Sequence, residues 1–168
     1  FVVGYASGSN GKTRIANVYG TNIDFQEAAG FTASGLSNLS STISAGNTLI
    51  FTYRKNASGS GYSMPFILEA SGLIPGVETM FSSDPVQYSD VEFISDTEFA
   101  LVFENENPET GNVLTGLINN NQLAFDQGTV FDQPVTDPLT FLFLNESSSS
   151  VIYADAVSGP NQLKGKAM

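Results

Sequence analysis

The chain has 168 residues, of which 41% are hydrophobic and 14% charged, enough for one domain with a buried core and a mostly uncharged polar surface. Seventeen acidic and six basic residues give a net charge of −11. This charge repels phosphates and anionic headgroups, and no apolar run reaches the roughly 20 residues of a membrane span, so neither nucleic acid nor membrane insertion is expected. The absence of cysteine and histidine excludes disulfides, Ser-His-Asp catalysis and thiolate or imidazole metal sites.

Short runs rich in Phe, Ile, Val, Thr and Tyr alternate with clusters of Gly, Asn, Ser and Pro, which is the pattern of strands and turns. After an opening strand that ends at Tyr5, one group predicts strand a over 39–44, b over 48–54, c over 62–69 and d over 72–81. No window has the 3.6-residue period of a helix. The glycines are interpreted as turn residues, namely Gly8, Gly11, Gly20, Gly30, Gly35, Gly46, Gly59 and Gly61.

The strand pattern recurs at a spacing of about fifty residues. Three gapless sets of segments align: 22–31 with 72–81 and 122–131, 39–44 with 89–94 and 139–144, and strands that end at Tyr5, Tyr53, Phe103 and Tyr153. One matched column could arise by chance, but several in a constant order indicate an internal repeat.

Four antiparallel strands every forty to fifty residues are typical of a β-propeller blade. The sequence therefore predicts an all-β, propeller-like fold of four-stranded repeats in a single β-repeat region over 1–168. The units are 1–38 (partial), 39–88, 89–138 and 139–168 (partial), about three and a half blades and an incomplete ring. A β-sandwich and an open array of β-repeats are the alternative folds.

The strings FVVGY, SGSNGK and TRIANVYGTNIDF, over residues 1–25, resemble tandem propeller-type repeats of secreted or surface proteins of marine microbes and algae. The resemblance covers nearly the whole chain and consists of strand and turn residues. It implies a recognition or scaffold module, outside the cell or at its surface, more than an enzyme.

One predicted b-to-c loop, residues 104–109, is strongly acidic. Glu104, Glu106 and Glu109 lie among two asparagines and a proline, and carboxylate and amide oxygens are ligands of calcium. Calcium is therefore the one cofactor that the sequence suggests, although no EF-hand spacing is present. Paired carboxylates also serve glycosidases, and nearby predicted loops add the candidates Asp84, Asp132 and Asp137.

The aromatic residues divide into two groups. Those that recur at fixed repeat positions are expected to fill the core between sheets, namely Phe31, Phe81, Phe131, Tyr5, Tyr53, Phe103 and Tyr153. Tyr62 and Tyr88 break the repeat beside loops and are the candidates for ligand contact, with carbohydrate as the ligand. Glycosylation sequons occur at Asn38, Asn56 and Asn145.

Charge is unevenly distributed, because fifteen of the acidic residues and no basic residue lie between Glu69 and Asp155. The basic residues are confined to 12–14, 54–55 and 164–166, and this arrangement favours self-association or contact with neighbouring repeats. The sequence thus predicts a non-catalytic structural or binding module of an extracellular or surface assembly. A carbohydrate-binding propeller and a carboxylate-dependent glycoside hydrolase or lyase are the alternatives.

Overall fold

The chain folds into antiparallel β-sheets that do not close into a barrel. The computed structural model describes residues 1–32, 34–132, 136–145, 148–154 and 163–167, with side chains through residue 131. Strands account for 74% of the chain, and no helix occurs within these ranges. The predicted all-β, antiparallel class is confirmed.

The described strands form four consecutive groups, which we call sheets 1 to 4. Sheet 1 contains β1 (Val2–Ser7), β2 (Asn10–Tyr19), β3 (Asn22–Phe25) and β4 (Ala29–Thr32). Sheet 2 contains β5 (Leu36–Ile43), β6 (Thr48–Lys55), β7 (Ser60–Glu69) and β8 (Gly72–Pro75). Sheet 3 contains β9 (Thr79–Phe93), β10 (Glu98–Glu106), β11 (Glu109–Asn119), β12 (Gln122–Phe125) and β13 (Thr129–Asp132). Sheet 4 contains β14 (Thr136–Asn145), β15 (Ser148–Ala154) and β16 (Leu163–Ala167).

Strand β9 belongs to two sheets in succession. Its first part, from Thr79 to Pro85, pairs with β7, and its second part, from Val86 to Phe93, pairs with β10. Sheets 2 and 3 are therefore one nine-stranded, hydrogen-bonded sheet. The chain passes from one sheet to the next without leaving extended conformation.

The predicted strand positions agree with the observed ones to within a few residues, with one exception. The predicted strand d over 72–81 is wrong as a single strand, because it is divided into β8 and the start of β9, both of which pair with β7. The division falls where the Gly76 amide donates to the carbonyl of Pro65 across the sheet (2.9 Å). The same two short strands follow β2 and β11, and β3, β8 and β12 begin fifty residues apart.

The central strands are buried on both faces, since each lies between two neighbouring sheets. Along β6, alternate residues enter two different apolar clusters: Phe51 and Tyr53 pack toward sheet 1, whereas Ile50 packs toward sheet 3. Strand β10 repeats the pattern, with Leu101 facing sheet 2 and Val102 in a third cluster. This two-sided burial explains the nearly continuous apolar runs of these strands.

Aromatic rings join sheet 1 to sheet 2 and sheet 2 to sheet 3, at positions that the repeat predicted. Phe31 of β4 stacks on Phe51 (5.4 Å between ring centroids) and contacts Tyr53 (5.7 Å). Phe81 occupies the equivalent place one sheet later, against Phe103 (5.1 Å). These contacts confirm the predicted core positions of Phe31, Tyr53, Phe81 and Phe103, and Phe131 is also buried. The core position predicted for Tyr5 is wrong in the described part of the chain, because Tyr5 is only partly buried and belongs to none of the apolar clusters. The side chain of Tyr153 lies outside the described residues.

Three glycines interpreted from the sequence as turn residues lie instead inside strands, namely Gly30 of β4 and the two that contact aromatic rings, Gly11 and Gly61. A Cβ atom on Gly61 of β7 would approach the Phe81 ring to 2.4 Å, and one on Gly11 of β2 would approach the Phe31 ring to 2.7 Å. Gly11 and Gly61 therefore provide the room in which the connecting rings pack. Gly8, in contrast, has a positive φ of 61° and fits the predicted turn role.

Candidate functional site

The acidic segment 104–109 is a tight hairpin and not the loop that the sequence predicted. Strand β10 runs through Glu106 and β11 begins at Glu109, so only Asn107 and Pro108 lie between them. Glu106 and Glu109 are directly opposite each other in the antiparallel pair, while Glu104 is 1% exposed. Cross-strand pairing places all three carboxylates on one face of the hairpin.

Arginine from the neighbouring sheet lies against this hairpin. Arg54 of β6 forms an ion pair with Glu106, and its guanidinium also donates to the carbonyl of Val86 (3.0 Å). A cation ligand would have to compete with this arginine. No group of three or more acidic side chains in the described residues is close enough to hold a metal, and a calcium site formed by Glu104, Glu106 and Glu109 stays a prediction.

Tyr62, the first candidate for ligand contact, belongs to a cluster at the end of β6 and β7. Its ring stacks on Tyr53 (6.4 Å), and the Lys55 ammonium lies 3.9 Å above its centre. Lys55 also pairs with Glu78 (2.5 Å), whose other carboxylate oxygen accepts the hydrogen bond of the Tyr53 hydroxyl. Burial, together with this hydrogen bond and the Glu78 charge, raises the pKa of Tyr53 far above its ordinary value, so the phenol remains a donor.

Tyr88, the second candidate, lies in a different place. It is half-buried on β9, against the cluster formed by Ala100, Val102 and Phe131. Tyr62 packs instead against the cluster between sheets 1 and 2. The fold therefore does not bring the two tyrosines together, and a role of either one in ligand binding stays a prediction.

The three sequons occupy different environments. Asn38, on β5, has a positive φ of 54°, and its side-chain amide donates to the carbonyl of Gln87 in the next sheet. Asn56 is exposed in the turn after β6 and accepts a hydrogen bond from Ser37 (2.8 Å). The side chain of Asn145 lies outside the described residues. Of the first two, Asn56 is the more accessible to modification.

The depressions on the described surface are shallow. The largest of three has a volume of about 400 Å³ and lies between the turn after β5 and the turn after β9, with Glu92 and Asp96 in its wall. The others measure about 270 and 310 Å³ and lie beside β2. Of the additional carboxylates suggested for hydrolysis, Asp84 is exposed on β9, whereas the side chains of Asp132 and Asp137 lie outside the described residues.

Polar contacts between residues fifty positions apart connect sheets 2 and 3. The Ser40 hydroxyl donates to Asp90 (2.5 Å), and the Thr42 hydroxyl donates to Glu92 (3.1 Å). At the adjacent turns, the amide of Gly46 donates to Asp96 (2.9 Å). We call these three contacts the inter-sheet ladder: Ser40 with Asp90, Thr42 with Glu92, and Gly46 with Asp96.

Burial raises the pKa of Glu92, the hydrogen bond from Thr42 lowers it, and the nearby Asp90 charge raises it. The net direction is upward, since the carboxylate lies partly out of water between two sheets.

Sequence reasoning missed the inter-sheet ladder, although a signal was present. Segments 39–44 and 89–94 align without a gap, so Ser40 falls on Asp90 and Thr42 on Glu92. In each pair a hydroxyl meets a carboxylate, which is a donor and an acceptor. The missing information was that equivalent residues of consecutive sheets lie next to each other.

Comparison with known proteins adds no evidence about the function of this chain. Neither a scan against protein-family models nor a search of curated proteins gives a match. In the part of the chain that the structure describes, no helix is both long and apolar enough to cross a bilayer.

Proposed function

We propose that the chain is a non-catalytic structural or binding module of an extracellular or surface assembly, built from propeller-like repeats of about fifty residues. The observation that carries the proposal is the inter-sheet ladder. Its three contacts each join residues fifty positions apart, so the polar surface between sheets 2 and 3 serves to hold equivalent sheets in register.

The side chains that would otherwise suggest chemistry also make contacts within the fold. Arg54 connects sheet 2 to the acidic hairpin of sheet 3, and Lys55 with Glu78 anchors two tyrosines at the end of sheet 2. Basic and acidic groups that neutralise each other in this way support a scaffold more than an exposed reactive site.

The proposed assembly depends on charge. Arg14 is exposed on β2 of sheet 1, and Lys164 and Lys166 fall on β16 of sheet 4, while the segment from 69 to 155 is acidic. Because salt screens attraction between exposed charges, we expect self-association at low salt that weakens at high salt.

Light scattering of the full chain across a salt series tests this function. The expected result is a mass above that of one chain at low salt, falling as salt is added, with Arg14→Gln reducing the low-salt mass. Glu27→Gln, which removes an exposed acidic charge outside the 69–155 segment, is the matched control. A monomer at low salt would contradict the proposed self-association. Reproducible glycan binding lost in Tyr62→Ala would contradict a purely structural role and support the carbohydrate-binding alternative.

A further inference from the structure

The outer face of sheet 1 is an apolar surface with no sheet packed on it in the described part of the chain. Gly4 of β1 faces sheet 2, since a Cβ atom there would approach Phe51 to 2.4 Å. Side-chain alternation therefore directs Val3 and Tyr5 to the opposite face. Four further apolar side chains on this face or its margin are 48% to 58% exposed, namely Phe1, Val18, Ile23 and Phe25.

The same positions are buried in the next two sheets. Tyr5, Tyr53 and Phe103 occupy the same register position in their sheets. Their cross-strand neighbours are Lys12, Tyr62 and Asn112, respectively. Yet Tyr53 and Phe103 are 0% and 5% exposed. Phe31 of β4 covers Tyr53, and Phe81, in the part of β9 that pairs with β7 of sheet 2, covers Phe103. Sheet 1 thus presents the receiving half of an interface that occurs twice within the chain.

The first strand also has an open edge. In each later sheet the equivalent strand pairs on both sides: β6 with β5 and β7, β10 with β9 and β11, and β15 with β14 and β16. In the described part of the chain β1 pairs only with β2. An edge of unpaired amides and carbonyls is a site for the addition of a strand.

In sheet 3, strand β9 supplies both features that sheet 1 lacks, namely the covering phenylalanine and the strand that pairs with the open edge. The first part of β9 carries Phe81 onto the core of sheet 3, and the same strand then continues from Val86 to Phe93 as the partner of β10. A preceding sheet that ended in the same way would cover the outer face of sheet 1 and pair with β1 in one continuous strand.

We infer that the outer face and the β1 edge of sheet 1 form a docking surface for a further β-sheet of the same construction, whose last strand carries a phenylalanine and then runs along β1. The inference rests on the proposed function, because it identifies the partner of a repeat module. Lys12 and Arg14 stand where sheet 2 has Tyr62 and Met64, so the partner presents carboxylate or carbonyl oxygens opposite these two residues.

An N-terminal fusion tests the docking surface directly. A copy of residues 36–98 is placed before Phe1 of the full chain; Phe1 and Phe99 share a register position, so the added Glu98 leads into β1 in register. The added copy then supplies both the ring and the strand. We expect hydrogen exchange of the backbone amides of residues 2–7 to slow by about tenfold or more relative to the unfused chain.

Two controls isolate the docking contact. The same fusion with Phe81→Ser in the added copy removes the ring that should meet Tyr5 without adding a carboxylate near Lys12, and it should lose most of the protection. A Gly/Ser segment of equal length should give none.

Unchanged exchange of residues 2–7 in the intact fusion would overturn the inference. So would an unfused, monomeric chain in which residues 2–7 are already protected to the same degree, because the face would then be covered within the chain itself. A chain that is monomeric at low salt contradicts the proposed assembly function but leaves this exchange measurement unaffected, so the two failures are distinguishable.

Discussion

At the scale of single residues, the packing between sheets depends on glycines that lie under aromatic rings. A Cβ atom on Gly61 would lie 2.4 Å from the Phe81 ring, which is itself held between Phe103 (5.1 Å) and Phe125 (6.3 Å). We expect Gly61→Ala to lower the free energy of unfolding by about 1–3 kcal/mol, as overpacking commonly does. Denaturant unfolding measures this loss, and Gly30→Ala is the control, because its Cβ would have no neighbour nearer than 3.9 Å. Equal stability of the two variants would show that the ring is not confined.

The second residue-scale prediction concerns Glu92 and pH. Its pKa is raised in the folded chain, mainly by burial, so the folded state binds the proton more tightly than the unfolded state. The contribution of Glu92 to the free energy of unfolding is therefore greatest below the ordinary carboxyl pKa, and it declines as pH rises through the raised pKa. We expect Glu92→Gln to increase Tm at neutral pH by a few degrees at most, since about 1 kcal/mol shifts Tm by about 2–4 °C at this size.

The pH dependence of that difference is the diagnostic feature. The gain from Glu92→Gln should vanish as pH falls below the ordinary carboxyl range, and thermal unfolding by circular dichroism across pH measures it. Glu69→Gln alters an exposed carboxylate at the end of β7 and should change Tm little. A Tm gain independent of pH would mean that ionisation of Glu92 is not its cause.

At the scale of strands, the local sequence pattern was sufficient to predict a strand where both of its faces are buried. The apolar run from Thr48 to Lys55 predicted β6 almost to the residue, because both faces of that strand are buried. The local sequence pattern gave the wrong prediction at residues 104–109, where an acidic run with a proline indicates a loop. Cross-strand pairing of Glu106 with Glu109, and the ion pair to Arg54, extend the strands into that segment. Such tertiary contacts leave no trace in local periodicity.

The same limit applies to the candidate sites. Tyr62 and Tyr88 were singled out because they depart from the repeat. Yet Tyr62 stacks on Tyr53, and Tyr88 is half-buried against an apolar cluster of sheet 3. Departure from a repeat identifies an unusual position but not the solvent exposure that a ligand contact needs. Spacing carried more information, since the inter-sheet ladder joins residues that the fifty-residue alignment had already placed in the same columns.

At the scale of the whole molecule, sheet 2 packs one face against sheet 1 and the other against sheet 3. Apolar clusters lie between sheets 1 and 2 and between sheets 2 and 3, and Val102 of β10 faces away from sheet 2 into a third cluster. In contrast, the outer face of sheet 1 is apolar and exposed in the described part of the chain, which is why we propose it as a docking surface. Extension by further sheets, rather than binding of a small molecule, is what this organisation supports.

The central claim is that consecutive sheets stack with residues fifty positions apart in contact, and cross-linking tests it most directly. The chain has no cysteine, so the double variant Ser40→Cys/Asp90→Cys can form only one intramolecular disulfide. The Ser40 hydroxyl lies 2.5 Å from the Asp90 carboxylate, so we expect sulfur atoms on the same two side chains to meet and oxidise. Ser41→Cys/Asp90→Cys is the control, because residue 41 points to the other face of β5. We predict rapid intramolecular oxidation of the 40/90 pair and none of the 41/90 pair, by mass spectrometry and non-reducing electrophoresis. Preferential oxidation of the 41/90 pair, or disulfides only between chains, would contradict the account.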